Sequence, residues 1–303
     1  GTILIVVELY HTDIKLQNVT NGMFNLISLE KRGDSLTKAF SVASWNVKYF
    51  KSTHARVDLC LSFLRKQDPD IFALYELYGK DVFLELVKQF PGYSFQITEG
   101  KRSQKILVGI RNSLDTFITQ KLEYTSGSTL YSPGLLVTVM HNKRMFPLLF
   151  MNIDSEPTMQ GLGQRYEMMQ RAFKYREKLN TLAWEMGDAK VNYIFLGDLE
   201  TKGMAYSYGK DIDSETELRK WDEEECKKYN MKRLKKTHNL TYMSCDGKEQ
   251  GNFDHVYAAE HLSFNKFGDC EVDVRGWVSE PSEKQKEWRE KYSVHSLLYF
   301  EVV

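Results

Sequence analysis

Cysteine is scarce in this chain. Its 303 residues include four, Cys60, Cys226, Cys245 and Cys270, and no two stand at the close spacing of a zinc knuckle or a dithiol motif. They read as small buried hydrophobes or free thiols. Such usage fits a reducing compartment, and a cytoplasmic location is expected. Long apolar runs are also missing. The run at residues 2–7 is far too short to span a bilayer, so no membrane span is expected. It lacks the basic leader and small-residue cleavage site of a signal peptide. An excess of one charge is absent as well: Lys plus Arg is 41 and Asp plus Glu is 41. A net charge of zero argues against a histone-like polyanion binder and leaves a local basic groove open. There is no internal repeat, low-complexity tract or linker.

What is present is a soluble, globular composition, 42% hydrophobic, 13% aromatic and 27% charged. A chain this long buries roughly 75% of its unfolded surface and needs no staples. Residues 1–38 differ from the rest and read as an N-terminal extension, with a strand over 2–10 and Met23, Leu26 and Leu29 at helical spacing. One domain is expected over 39–303. Its pattern predicts strands over 40–47, 71–77, 106–110, 135–140, 146–153, 192–196, 253–258, 271–274 and 296–302. Helices are expected around Val57, Leu61 and Leu64, around Val82 to Phe90, and over 165–185. Residues 203–250 read as a polar, lysine-rich insertion whose basic run, 227–236, is a solvated face or a contact for nucleic-acid phosphates.

Polar residues gather at strand ends: Asn46 after Trp45, Glu76 after Tyr75, Asp198 and Glu200 in Gly197-Asp198-Leu199-Glu200, Asp254 before His255, and His295 after Ser293-Val294. Any one of these alone reads as a cap or turn residue. In a layered fold, strand ends at one edge of two packed sheets converge on one place.

Taken in order, these stretches resemble the endonuclease/exonuclease/phosphatase superfamily, the DNase I-like fold, from about residue 40 to the end. A bacterial subgroup is the nearest likeness. The resemblance implies an α+β fold, a four-layer α/β-sandwich of two packed, mainly antiparallel sheets flanked by helices. It also implies metal-dependent phosphoester hydrolysis by a nuclease-like phosphodiesterase. Mg²⁺ or Mn²⁺, weakly held, would lie at Asn46 and Glu76, since a hard cation takes oxygen ligands and keeps several waters. Asp198 would orient or deprotonate the attacking water. His295 would stabilise charge on the phosphoryl oxygens, with Asp254 holding it in place. Asn152 and Arg165 would bind substrate, a phosphoester such as nucleic acid.

The chain departs from the pattern where it matters. The family's Gly-Asp-x-Asn ends here in Glu200, a carboxylate beside an anion, and the catalytic set is completed by that altered residue. Two like charges about 4 Å apart repel by roughly 4 kcal/mol at an effective dielectric near 20. The family's Ser-Asp-His reads Ser293-Val294-His295, and valine ligates nothing. Asn152 stands where a histidine is usual, Lys105 where an acid is, and Ser132 where an arginine is. Alongside the hydrolase reading stands a second one: a catalytically degraded relative, a pseudoenzyme, that keeps the fold to bind nucleic acid, a phosphorylated ligand or a protein.

Overall fold

The computed structural model describes residues 37–303 apart from 51–53, 78–79, 99–105, 122–133, 154, 186 and 188. The expected extension, with its strand and helical spacing, lies outside the described residues, as do Lys105 and Ser132.

Two six-stranded sheets form the centre. The first takes β1 (Phe40–Phe50), β2 (Ile71–Leu77), β3 (Tyr93–Ile97), β4 (Ile106–Arg111), β13 (Val272–Arg275) and β14 (Leu297–Val302), in the order β13-β14-β1-β2-β4-β3. The second takes β5 (Asp115–Lys121), β6 (Gly134–His141), β7 (Arg144–Asn152), β8 (Ile194–Asp198), β9 (Met231–Arg233) and β12 (Asp254–Ala259), in the order β5-β6-β7-β8-β12-β9. Among the described strand pairs, only β1–β2 and β7–β8 run parallel. A short hairpin, β10 (Tyr242–Met243) with β11 (Gln250–Gly251), stands apart from both sheets.

Alternation along each strand sorts side chains to two faces. Phe40, Val42, Ile71, Ala73, Leu148, Phe150, Ile194, Leu196, Val256 and Phe300 fill the space between the sheets. On the outer face of the first sheet, Trp45, Phe72, Leu74 and Leu297 pack with residues of α1 (His54–Gln67) and α2 (Lys80–Gln89) and with Trp288 of α5 (Ser282–Lys291). On the outer face of the second, Leu149, Phe195 and Tyr257 meet Met169, Phe173 and Leu179 of α3 (Met159–Glu185). The layers therefore run helix, sheet, sheet, helix.

The stretch 203–250 is more than a polar insertion. It contains α4 (Ser214–Lys220), which continues through a π-helical turn, Trp221–Cys226, and β9, the edge strand paired with β12. Its basic run makes no continuous face. Arg233 pairs with Asp222, Lys235 with Asp269, and Lys236 is buried. Of the cysteines, Cys60, Cys226 and Cys270 are buried, Cys245 is exposed, and all are free.

Candidate active site

The alternation that builds the core also builds the site. In β1, Asn46 shares the face of Phe40 and Val42. In β7, Asn152 shares that of Leu148 and Phe150. In β8, Asp198 follows Ile194 and Leu196, and in β12, Asp254 precedes Val256 and Ala258. Each therefore projects between the sheets where the apolar filling ends. Pairing lines them up: Asp254 is opposite Asp198, and Asn152 beside it. His255, one residue out of phase, turns away and bonds Thr201 at 2.9 Å and the Asn252 carbonyl at 2.8 Å. Gly197 has φ +142°, and a Cβ there would lie 1.8 Å from the Met151 carbonyl oxygen. Only glycine lets β7 and β8 close up just before Asp198.

Glu76 reaches the site by a different route. In β2 its phase matches Phe72 and Leu74, which face the helices, but its φ of +62° breaks the alternation. Lys48 and Glu200, also at strand ends, have φ of +27° and +50°. Three left-handed non-glycine residues around one site are a concentration of backbone strain of the kind that accompanies function.

The polar groups form one chain across the two sheets. Asn46 Nδ2 donates to Glu76 Oε1 and to Asp198 Oδ2, each at 2.8 Å. His295 Nδ1 lies 3.0 Å from Asp254 Oδ2, and Nε2 lies 3.7 Å from Asp198 Oδ2. Ser293 Oγ donates to the Asn46 carbonyl at 2.7 Å and receives the His295 N–H at 3.1 Å, which ties the histidine segment to β1. Exposure of Asn46, Asp198, Asp254 and His295 is at most 2%, so their charges act in low dielectric. Burial above all pushes the Asp198 carboxyl well above the usual carboxylate range. Asp254 and Glu200 push the same way, while His295 and the Asn46 amide pull back. Burial alone would lower the His295 pKa, but Asp254 and Asp198 outweigh it and raise the imidazole to about 9.

Asp198, Asp254 and His295 offer ligand atoms within 4.8 Å of one another, close enough to hold a metal ion. Asn46, expected beside a metal, is turned otherwise: its Oδ1 accepts the Lys48 N–H at 2.7 Å and its amine faces the two carboxylates. It aims Glu76 and Asp198, and its Oδ1 keeps a second lone pair beside the one that accepts the Lys48 N–H. Arg165, expected to touch substrate, has its donors engaged on protein groups. Fully buried, it spends all five guanidinium donors on protein: on Glu217 at 2.8 and 3.1 Å, Ser155 Oγ at 3.0 Å, the Glu156 carbonyl at 3.1 Å and the Gly203 carbonyl. The reason is the need to satisfy a buried charge from every side. Val294 packs with Tyr242 and Phe253 in a small apolar cluster.

Lys48, Lys202, Tyr242, Lys248 and Phe253 escaped sequence reading as site residues. The mouth of the site is a cleft of about 580 Å³ lined by Lys48, Glu200, Lys202, Tyr242, Lys248 and Phe253, among others. Lys202 pairs with Glu200 and lies 5.4 Å over the Phe253 ring. Lys48 lies 3.4 Å from the Tyr242 hydroxyl and 5.0 Å over its ring. Tyr242 stacks on Phe253 at 4.9 Å. The available signal was positional: Lys48 and Lys202 each follow a motif residue, Asn46 and Glu200, by two.

No family model matches the sequence, and no curated protein matches it. Solved structures do. Truncated TDP2 from Caenorhabditis elegans aligns over 87% of this chain and 97% of its own, with TM-score 0.58 and 14% identity. TDP2 of D. rerio complexed with a single-strand DNA product aligns over 87% and 98%, with TM-score 0.55 and 14% identity. An endonuclease/exonuclease/phosphatase from Bacteroides vulgatus aligns over 87% and 98%, with TM-score 0.56 and 10% identity. The chain has the DNase I-like fold of the endonuclease/exonuclease/phosphatase superfamily. At such identities the likeness is one of fold. No helix among the described residues is long and apolar enough to cross a membrane.

Proposed function

We propose that this chain is a divalent-metal-assisted phosphodiester hydrolase of nuclease type. The observation that carries the reading is the unbroken chain Glu76–Asn46–Asp198–His295–Asp254, which joins the ends of both sheets beneath a lysine-lined cleft. Asp198, with its raised proton affinity, holds and polarises the attacking water. His295, kept charged by Asp254, stabilises negative charge growing on the phosphoryl oxygens. Asn46 holds the two carboxylates at one spacing. Lys202 offsets the charge of Glu200 at the mouth of the cleft, whose lining holds three lysines and three glutamates.

The residues suit a hard, hydrated cation. Glu76 is half-buried, engages Oε1 with Asn46 and leaves Oε2 without a protein partner among the described residues. One carboxylate plus waters is the way Mg²⁺ or Mn²⁺ is commonly held. Such an ion would neutralise phosphoryl charge and fix its orientation. With Val294 giving no second carboxylate, millimolar affinity is expected, weaker still in Glu76→Ala.

Three lysines and a stacked aromatic pair suit a phosphate backbone with bases better than a small monoester. The DNA product bound by the D. rerio relative makes a single-stranded oligonucleotide the first substrate to try, beside bis-nitrophenyl phosphate. Hydrolysis with Mg²⁺ or Mn²⁺ should fall roughly a thousandfold in Asp198→Asn. A wild type inert on both substrates, or an Asp198→Asn protein as active as wild type, overturns the reading. The second reading, a binding module, rests on one observation: the position that resembles a metal-side aspartate is Val294, committed to an apolar cluster. Tight oligonucleotide binding without turnover would select it.

A further inference from the structure

At the opposite end of the second sheet lies a larger groove, about 700 Å³, lined by Arg176, Asn180, Trp184, Lys190, Glu260 and His261, among others. β12 runs from Asp254 to Ala259, and Glu260 and His261 follow it, so the groove is roughly 20 Å from the candidate active site. We propose that this groove is a second site, for a nucleoside monophosphate, with Arg176 and Lys190 meeting the phosphate and Trp184 stacking on the base.

Arg176 carries the argument furthest. Its side chain is 3% exposed, and Nη1 is held by the carbonyls of Tyr229 and Asn230. The other edge of the fork has no hydrogen-bond acceptor among the described residues: Nε is buried without one, Nη2 meets none, and Glu260 acts on the charge only through its field. A buried guanidinium edge left so is costly, and it is the edge whose geometry matches a phosphate bidentately. Asn180 points the same way. Its Oδ1 is taken by the Val191 N–H at 3.1 Å, so its amine remains as a donor.

The local field favours an anion. Among the described lining residues Glu260 is the only acid, against Arg176 and Lys190. Burial lowers the His261 pKa, and Arg176, Lys190, Arg144 and Lys232 all lower it further. Four cations bearing on one imidazole mark a positive basin. On the rim, Trp184 is 76% exposed, and its indole offers a face on which a base stacks. The volume is that of a small-ligand site.

The test uses the full chain without divalent metal, so that the other cleft contributes least. Titrations with AMP, adenosine and inorganic phosphate are followed by tryptophan fluorescence and by calorimetry. AMP is expected to bind at least tenfold tighter than either fragment and to quench fluorescence. Surface variants Trp184→Ala and Lys190→Glu should each weaken AMP about tenfold or more with thermal stability unchanged, and Trp184→Ala should abolish the quench. Asp198→Asn should leave AMP binding as it is. AMP affinity that survives both surface variants, or that Asp198→Asn changes, overturns the proposal, as does no binding at millimolar AMP. A 5′-phosphorylated ten-residue oligonucleotide is the second arm. Binding tenfold tighter than AMP with the same dependence on Trp184 overturns the free nucleotide in favour of a strand end. Failure of hydrolysis leaves this site untouched, because none of its residues belongs to the other cleft.

Discussion

The carboxylate of Glu200 is paired with the ammonium of Lys202, two residues on, at the mouth of the candidate active site. Sequence reading places a bare negative charge beside an incoming phosphate. The fold supplies its counter-ion. Burial works against the charge on Lys202, but Glu200 outweighs it and raises the lysine pKa. Asp198 and Glu156 add to that effect.

Removing the lysine should therefore expose the repulsion. Lys202→Gln is expected to lower kcat/KM on bis-nitrophenyl phosphate by roughly a hundred- to a thousandfold. Adding Glu200→Gln should restore most of that loss. Steady-state kinetics on the four proteins of the double-mutant cycle measure the coupling. Independent, additive effects would show that Lys202 does not offset Glu200 at the mouth of the cleft.

Val294→Asp, the change that restores the family-like residue, should not strengthen the site. Its side chain would enter the cluster with Tyr242 and Phe253, where Val294 is 8% exposed. A carboxylate there lacks partners and should cost about 2–3 kcal/mol. For a domain of this size that is a fall in Tm of roughly 5–10 °C. Thermal denaturation followed by circular dichroism checks it, and an unchanged Tm would mean the segment turns outward.

Arg165→Met should act on stability and leave substrate affinity alone. The buried pair with Glu217 also holds the Gly203 N–H, which donates to Glu217 Oε2 at 2.8 Å. Leaving Glu217 unpaired should cost about 3–5 kcal/mol. Urea denaturation and KM measured on the folded fraction separate the two roles. A tenfold rise in KM at unchanged stability would return Arg165 to the substrate.

Two buried groups should give opposite pH slopes in the metal-free protein. His295 has a folded pKa of about 9, above an unfolded value near 6.5. Its contribution is fully present below pH ~6.5 and is lost as pH rises through 9. Lys236 donates to the Asp254 carbonyl at 2.6 Å, and burial lowers its pKa from 10.5 to about 7. The unfolded chain binds more protons between these values, so its contribution to stability rises with pH from about 7 to 10.5. Urea denaturation from pH 6 to 10 checks both. His295→Gln should remove a downward slope and Lys236→Met an upward one, and difference curves of the same sign would contradict the assignment.

Much of the fold was legible in the residues, for local reasons. Alternation along 40–47 and the short apolar runs at 71–77 and 146–153 are properties of the strands themselves, so β1, β2 and β7 could be read without knowing their partners. Strand-end polar residues in the order Asn46, Glu76, Asp198, Asp254, His295 carried the resemblance, and the two-sheet fold agrees with it. Short edges were harder. β9, inside a lysine-rich stretch, has three residues and no period to detect; only its pairing with β12 makes it a strand.

Side-chain identity in the chain determined which chemistry was available: carboxylates, one imidazole and two amides at strand ends, with a valine where a ligand is usual. Tertiary structure alone decided which charges meet. Arg165 and Glu217 are 52 residues apart in sequence, and that distance hides their bond from any local pattern. The basic run at 227–236 looked uniform, yet packing separated it into two ion pairs and the buried Lys236. The physical reason is range. Periodicity reports the one to four neighbours that set backbone geometry, whereas the cost of burying a charge is set by whichever groups the fold brings within a few ångströms.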